Sequence, residues 1–345
     1  MEGFSLPDKR TDRLVLEAHR GYWDLQRLPR FKRIVFDNTS GQEEAVELVK
    51  TSEGRVDLVT ELRPLDTLRV AESPSATVVK NRAALVTVFG LFNMRKAGSP
   101  WQDVRLRQAV NVAINRDDLI RYAAKGNGLV VPALVAVQGF GYDPDLTPYP
   151  FDPIKARHLQ REAGYADGLS VILIASEDLH VQATVVSKML EQAGFTVDLQ
   201  ILDATAYNQK VVLSHLAQPP EQQPWDIALT SSIPDVLNFP VYMLYRSYAL
   251  DGAYDWLGEQ PELRRLYEQV LGTVDRERQQ ALIRQIERHT RDQAYFLFLY
   301  NPIQLYAANN AVRFVPYANG TLILTETSVT DQHWSMRKQK AGVQE

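Results

Sequence analysis

The polar residues best suited to ligand chemistry lie together in one short stretch, TSSIPDVLNF at residues 230–239. Hydroxyl, carboxylate and amide groups can hydrogen-bond a polar ligand, and an aromatic ring can stack on a flat one. The stretch therefore predicts non-covalent binding through Ser231, Ser232, Asp235, Asn238 and Phe239. For Asp235 an equal alternative is that it caps the turn after its neighbouring proline.

The sequence has none of the motifs that identify common enzyme or metal sites. The six histidines form no HExxH pair, and GxSxG, Walker A and strand-associated GxGxxG motifs are missing. There is no cysteine, which excludes disulfides, thiolate metal sites and cysteine nucleophiles. We therefore expect no catalytic residue, no metal site and no cofactor.

Length and charge restrict the partners. The 345 residues suffice for roughly two domains, and 38 basic against 42 acidic residues give a net charge of −4 without a long basic run. A nucleic-acid partner is therefore not expected. No apolar run approaches the ~18 residues that a membrane span needs, and the first residues lack the pattern of a signal peptide. We expect the chain to be soluble as it stands.

A regular alternation positions the polar stretch. Between 168 and 230 the apolar pattern predicts strand, helix, strand, helix, strand, which is typical of a parallel sheet with right-handed crossovers. Ligands of open α/β sheets bind outside the carboxyl ends of the strands. The loops that begin at Ser176, Asp203 and Thr230 are therefore the predicted binding loops, and Ser176 is a further predicted contact.

A capped helix pair precedes this unit. Ser99 is predicted to cap a helix, with Pro100 at its first position and Gln102 completing a capping box. Asn115 is predicted to cap a second helix that ends near Gly126. The first helix carries an apolar stripe of Leu106, Ala109, Val110 and Ala113.

The residues from Asn93 to Ile120, NMRKAGSPWQDVRLRQAVNVAINRDDLI, resemble a signature of family 5 of the extracytoplasmic solute-binding proteins, which serve peptide- and nickel-type ABC transporters. Two further passages resemble the same family. They are PIKARHLQREAGY and the segment around Tyr22, Trp23, Gly54 and Asp57.

The resemblance implies an α/β, periplasmic-binding-protein-like fold of the class II type, with two lobes of mixed and parallel sheet joined by two crossings. Residues 1–90 with 292–345 would form lobe I, and 91–291 would form lobe II. The first crossing is predicted near Gly90 and the return along 295–306. Family members ordinarily carry a signal peptide and a longer N-terminal portion, so lobe I is expected to be incomplete.

The implied function is capture of a peptide-like or other small polar solute in an interlobe cleft, outside the cytoplasmic membrane, by a monomer that delivers it to an ABC permease. In the family's binding loop, Ser231 and Ser232 replace a tryptophan-to-aspartate segment, and Asp235 matches a later acidic position. Asn93 and Tyr245 complete the predicted contacts, although Tyr245 belongs to an aromatic stripe that is more typical of helix packing.

Other functions stay open at this point. One is the ligand-sensing domain of a regulator, and another is a truncated fragment that does not transport. An enzyme on a related two-lobed fold has the least support, because the sequence offers no reactive constellation.

Overall fold

The computed structural model describes residues 12–19, 21–28, 30–52, 54–213, 219–232, 252, 255–317 and 319–341. The chain divides into two compact units. The terminal unit combines Met1–Asn81, Gln304–Tyr317 and Thr321–Glu345, and the central unit consists of Arg82–Ile303 and Ala318–Gly320. The long segments of the two units are therefore joined after Asn81 and after Ile303.

The described helices and strands follow one another in the order expected of an α/β protein. The strands are β1 (Arg13–Glu17), β2 (Arg33–Asp37), β3 (Leu58–Val59), β4 (Ala76–Asn81), β5 (Val88–Phe92), β6 (Gly128–Val130), β7 (Ser170–Ser176), β8 (Thr196–Leu202), β9 (Ile227–Ser231), β10 (Phe296–Pro302), β11 (Gln304–Asn309), β12 (Val312–Arg313) and β13 (Ser328–Val329). The helices are α1 (Gln42–Val49), α2 (Thr67–Ala71), α3 (Val104–Ala113), α4 (Arg116–Ala123), α5 (Pro153–Glu162), α6 (His180–Gln192), α7 (Ala204–Tyr207), α8 (Pro261–Leu271), α9 (Arg276–Asp292) and α10 (Trp334–Ala341).

The boundaries of the units differ from the predicted lobe boundaries near Gly90 and residue 291. Strands β5 and β10 pair with each other, with Gly90 opposite Leu297. Both strands are almost wholly buried and belong to the six-stranded sheet of the central unit. The division therefore falls before β5, after Asn81, and beyond β10, after Ile303.

The terminal unit is built on a three-stranded sheet with the order β3-β11-β4. Its middle strand, β11, is antiparallel to both neighbours, so that Ala307 lies opposite Val59 on one side and Val78 on the other. Val46 and Val49 of α1 are fully buried. The segment predicted as one return strand is therefore two strands, β10 and β11, which belong to different sheets.

A separate β1–β2 hairpin also belongs to the terminal unit. The two strands pair antiparallel, with Leu14 opposite Phe36 and Leu16 opposite Ile34. Alternation along the strands places these four apolar side chains on one face of the hairpin. Leu14, Leu16 and Phe36 are 50%, 46% and 37% exposed and Ile34 is partly buried, so this face is only partly covered.

The central unit contains a mixed sheet with the order β6-β10-β5-β9-β7-β8. Strand β7 is parallel to β8 and to β9, whereas β5 is antiparallel to β9 and to β10. The predicted strand–helix–strand–helix–strand unit is confirmed. Its second helix, which the sequence predicts over 205–216, consists of α7, which ends at Tyr207, and a π-helical segment, Asn208–Val212.

The predicted helix start at Ser99 is wrong. Ser99 caps only a short 3-10 turn by accepting the Trp101 N–H, and the α-helix begins at Val104 after Asp103 accepts the Arg105 N–H. The Gln102 amide donates to the Met94 carbonyl, so it forms no capping box. The buried stripe and the Asn115 cap of α4 are confirmed.

Arginines of α3 and α4 fasten neighbouring segments to the sheet. The buried Arg107 guanidinium donates to the carbonyls of Gln293 and Ala294, just after α9. The buried Arg116 guanidinium donates to the Phe298 carbonyl in β10, at 2.8 Å. The residues that carry the family resemblance are therefore structural in this part of the chain.

Helices α8 and α9 close the central unit. Leu263, Leu266 and Val270 form the buried face of α8. Helix α9 buries Ile283, Ile286, Glu287 and Thr290 at helical spacing. None of the helices that the structure describes has the length and apolarity to cross a membrane.

Candidate ligand-binding site

Several strand ends of the central unit meet at one edge of its sheet. Strand β9 ends at Ser231, which lies opposite Val88 at the beginning of the antiparallel β5. Val88 in turn lies opposite Tyr300, near the end of β10. Strand β7 runs parallel to β9 and ends at Ser176 on the same side. We call this side, where β7, β9 and β10 end and β5 begins, the strand-end edge.

Three buried polar side chains form a hydrogen-bonded group at this edge, which we call the strand-end cluster: Thr87, Ser232 and Asn301. The Ser232 hydroxyl accepts the Thr87 N–H at 2.8 Å, and the Ser232 N–H donates to the Thr87 carbonyl at 2.8 Å. The Asn301 amide donates to the Thr87 hydroxyl at 2.7 Å and to the Val86 carbonyl at 2.9 Å. The cluster fixes where the polypeptide leaves β9 after Ser231.

The loop of residues 131–137 packs on the strand-end cluster. The Thr87 hydroxyl donates to the Leu134 carbonyl at 2.8 Å, and the Asn301 side-chain oxygen accepts the Val137 N–H at 2.9 Å. Between these points, the Val135 N–H donates to a carboxylate oxygen of Glu287 at 2.7 Å. Side chains from three parts of the chain therefore hold one loop.

Glu287 is the only acidic side chain of α9 among those that the structure describes as buried, and it is 2% exposed. Burial raises the pKa of its carboxyl to about 7, against the opposing effect of hydrogen bonds from the backbone of Val135 and Leu134. Among the described residues, its Oε1 atom has no hydrogen-bond partner. A carboxyl group in such surroundings changes its charge near neutral pH.

The predicted contacts Ser176 and Ser231 both lie at the strand-end edge. Each is partly exposed, and each is the last residue of its strand. Nearby, the buried Tyr300 hydroxyl accepts a hydrogen bond from the Gln182 amide at 3.1 Å. Burial also raises the pKa of the Tyr300 hydroxyl, which keeps it neutral. The predicted contact Ser232 is buried within the cluster, and Ser231 is the more accessible of the two serines.

Asn93 lies at the other end of β5 from this edge. Its N–H donates to the Asp226 carbonyl, immediately before β9 begins. The fully buried side chain donates to the carbonyls of Gln223 and Trp225 and accepts the Lys96 N–H. The structure therefore does not bring Asn93 together with Ser231, and its described hydrogen bonds are internal to the fold.

The predicted contacts Asp235, Asn238, Phe239 and Tyr245 lie outside the described residues. Only the first three residues of the predicted binding stretch, Thr230, Ser231 and Ser232, are described. A ligand contact by any of these residues stays a prediction.

Sequence reasoning missed Thr87, Asn301 and Glu287. Thr87 and Asn301 are polar residues inside long apolar runs, ALVTVFGLFN and YFLFLYNPIQLY, and this was the available signal. Glu287 occupies an inward position in the helical repeat of α9, where a carboxylate is unusual. Their connection could not be read from the sequence, because Thr87 and Asn301 are 214 residues apart.

The strand-end edge offers neutral hydroxyl and amide groups, the exposed carboxylates of Glu177 and Asp178 directly after Ser176, and the buried carboxyl of Glu287. Hydroxyl and amide groups both donate and accept, so they can bind amides, hydroxyls or carboxylates. No group of three or more histidine, aspartate or glutamate side chains suited to a metal ion occurs in the described part of the chain.

Comparison with known proteins identifies the family. A model of the bacterial extracellular solute-binding proteins, family 5 (middle region), matches residues 7–254. A dipeptide-binding protein from Escherichia coli (strain K12) is 28% identical over 167 residues, which cover 48% of this chain and 30% of that protein. The chain therefore aligns with about a third of the length of this relative.

Solved structures share the fold. The periplasmic binding protein DppA from Helicobacter pylori, in complex with the peptide STSA, matches with a TM-score of 0.75 and 17% identity, covering 94% of this chain and 62% of that one. NikA from Brucella suis, in complex with Fe(III)-EDTA, matches with a TM-score of 0.78 and 19% identity, covering 94% and 67%. These matches confirm the predicted periplasmic-binding-protein-like fold. Because the family model spans well over half of the sequence, the chain belongs to the bacterial extracellular solute-binding proteins of family 5.

Proposed function

We propose that this protein is the solute-binding component of an ABC transporter, and that it captures a peptide-like or other small polar solute for delivery to a membrane permease. The observation that carries the proposal is the meeting of Ser176, Ser231 and the strand-end cluster at one edge of the central sheet. Open α/β sheets bind ligands at such an edge. The family assignment supports the same function.

The ligand that suits this edge is one recognised by hydrogen bonds. Ser176 and Ser231 are partly exposed residues whose hydroxyls can donate and accept, which matches the alternating N–H and C=O groups of a peptide. A relative is named for dipeptide binding, and the Helicobacter structure holds a peptide. We further propose that Asp235 binds the ammonium group of such a peptide, because a carboxylate and an ammonium form a charge-assisted pair.

Binding of this kind makes and breaks no covalent bond, so we propose that the protein is not an enzyme. Relatives are named as binding proteins, which supports that proposal. We propose that the protein works outside the cytoplasmic membrane, in keeping with the extracellular designation of the family, and that it does so as a monomer.

Thermal unfolding with candidate ligands tests the function. The probes are alanyl-alanine, the tetrapeptide of sequence STSA, maltose and a nickel–histidine complex, each at a series of concentrations. A ligand at 100 times its Kd stabilises the native state by about 2.7 kcal/mol, which raises Tm by several degrees. We expect this rise in Tm with at least one peptide. The proposal would be overturned if none of the probes raised Tm.

Two serine variants test the site. Ser231→Ala removes the hydroxyl of a partly exposed residue at the strand-end edge, and we expect about fivefold weaker peptide binding because one hydrogen bond contributes about 1 kcal/mol. Ser170→Ala is the matched control, since Ser170 is exposed at the opposite end of β7. Equal loss of affinity in the two variants would show that the ligand binds elsewhere.

A further inference from the structure

Glu287 connects α9 to the strand-end edge through a single loop. Its carboxylate accepts the Val135 N–H, while Leu134 and Val137, on either side of Val135, are bonded to Thr87 and Asn301. These three hydrogen bonds to the loop, and the one between Asn301 and Thr87, are 2.7 to 2.9 Å long. The loop of residues 131–137 is thus held on one side by α9 and on the other by the strand-end cluster.

We propose that Glu287 is a positioning residue of the ligand-binding edge, which keeps the 131–137 loop seated on Thr87 and Asn301 by accepting the Val135 N–H. The proposal rests on the proposed function only in taking this edge as the place where the solute binds. Loss of the Glu287 proton then releases the loop, and release loosens the cluster that fixes Ser232.

A neutral amide would hold the Val135 N–H equally well, so the presence of a carboxyl needs its own explanation. A buried carboxylate is costly because its charge is removed from water. Oε2 accepts the Val135 N–H, whereas Oε1 lacks a partner among the described residues. Opening of the loop admits water to both oxygens and removes that cost, so the ionised form favours the open loop.

The charged groups around Glu287 have fixed positions. Asp143 is 2% exposed and acts on Glu287 as a like charge, which opposes ionisation. Arg288 pairs with Asp143. The guanidinium groups of Arg284 and Arg291 donate to the carbonyls of Tyr142 and Thr147. The flanking arginines of α9 are therefore bonded to the 142–147 segment, and the described hydrogen bonds to Glu287 come from the backbone of Val135 and Leu134.

The direction and size of the effect follow from linkage. The seated loop keeps the pKa of Glu287 at about 7, whereas a solvated glutamate has its usual value of 4.5. The seated state therefore binds the proton more tightly, and rising pH favours release. Between pH 6 and pH 8 these two values give about a tenfold increase in the open population of the loop.

Hydrogen exchange on the ligand-free protein tests this inference directly. We expect the protection factors of the Val135 and Val137 amides, corrected for intrinsic exchange, to fall about tenfold from pH 6 to pH 8. In Glu287→Gln the same amides should stay protected, with less than about a twofold change, because glutamine accepts the same hydrogen bond without titrating. Glu277→Gln, at an exposed position of the same helix, is the matched control and should behave as wild type.

Two results would overturn the inference. One is a protection factor of the wild-type Val135 amide that does not change between pH 6 and pH 8. The other is an equal pH dependence in the Glu287→Gln variant. The measurement needs no ligand, so a failure of the peptide probes to bind would leave it interpretable. If the STSA tetrapeptide does bind, its affinity should weaken with pH in wild type more than in Glu287→Gln.

Discussion

The Arg116 guanidinium joins parts of the chain that are far apart in sequence. It donates to the carbonyls of Asn111, Ile114, Tyr149 and Phe298, and burial lowers its pKa to about 10 without discharging it at neutral pH. Four carbonyl groups receive hydrogen bonds from this one side chain. Arg116 therefore has a structural role within the Asn93–Ile120 segment that resembles the family signature.

Replacing Arg116 with methionine should therefore destabilise the protein strongly. The variant keeps a side chain of similar length but leaves several buried carbonyls without a donor, and each such group costs about 1–3 kcal/mol. We expect the free energy of unfolding in urea to fall by about 3 kcal/mol or more. Arg121→Met is the control, because the Arg121 side chain is 65% exposed, and it should change stability by less than about 0.5 kcal/mol.

Glu287 should make the stability of the whole chain depend on pH. Its pKa is raised from 4.5 to about 7 on folding, so its stabilising contribution is complete below about pH 4.5 and is lost as pH rises through 7. The difference between these two pKa values corresponds to a loss on the order of 3 kcal/mol in the free energy of unfolding.

Urea unfolding between pH 4.5 and pH 8 measures this loss. We expect Glu287→Gln to gain stability relative to wild type as pH rises, by up to that amount above pH 7. Wild type and Glu287→Gln curves that run parallel over the whole range would contradict the expectation.

Helices with clear start and stop signals could be predicted closely from the sequence. Asp152 and Pro153 begin α5, and Gly164 follows its end in a left-handed conformation that favours glycine. The start of α3 could not be predicted, because Ser99 and Asp103 are both good caps, and each accepts the N–H two residues further on. A cap residue therefore predicts the start of a helix where no second cap residue lies nearby.

The pairing partners of strands could not be predicted in the same way. An apolar run such as VFGLF indicates a buried strand but carries no record of its neighbour. The sequence therefore predicts the lobe boundaries near Gly90 and residue 291, at β5 and just before β10, whereas these strands lie side by side within the central sheet. Ser176 and Ser231 could be predicted, because ligands bind at the carboxyl ends of strands. The hydrogen bond between Thr87 and Asn301 could not, because it depends on which strands are neighbours.

The exposed hairpin should contribute less stability than the central sheet. Leu16 in β1 is 46% exposed, whereas Leu91 in β5 is fully buried. We expect Leu91→Ala to cost about 2–5 kcal/mol, because it leaves a cavity in a packed core. Leu16→Ala should cost less than about 1 kcal/mol. Thermal unfolding of both variants measures the difference, and equal costs would show that Leu16 is covered.

Gly54 determines how α10 packs in the terminal unit. It has φ of +73°, and a Cβ atom there would overlap the Trp334 ring of α10. Gly54→Ala must therefore displace this tryptophan. Gly98 has a similar φ of +66° with nothing within 4 Å of a Cβ atom, so Gly98→Ala carries the backbone strain alone.

We expect Gly98→Ala to lower the free energy of unfolding in urea by about 1 kcal/mol, and Gly54→Ala to lower it substantially more. Only Gly54→Ala should shift the tryptophan fluorescence. Equal losses of stability in the two variants would contradict this, because they would show that α10 moves away from Gly54 at no cost in stability.

At the scale of the whole molecule, the two units share a single extended segment. Strand β10 lies in the sheet of the central unit and β11 in the sheet of the terminal unit, with Ile303 between them. A proline in β11 should therefore disrupt one sheet selectively, because proline cannot donate a hydrogen bond and is excluded from central strands.

Ala307→Pro is the sharpest form of this test, since Ala307 faces both Val59 and Val78. We expect hydrogen exchange to show loss of protection in β4 while β5 stays protected. Equal loss in both strands would show that the units unfold as one cooperative body.

The position of β11 also has a consequence for synthesis of the chain on the ribosome. Strands β3 and β4 are made early, but the middle strand that joins them begins only at Gln304, more than 200 residues after Asn81. At about 5–20 residues per second, the two outer strands wait roughly 10–45 s for their partner. Until then their edges are open to wrong pairing, so a chaperone that shields unpaired strand edges should improve the yield of the native protein.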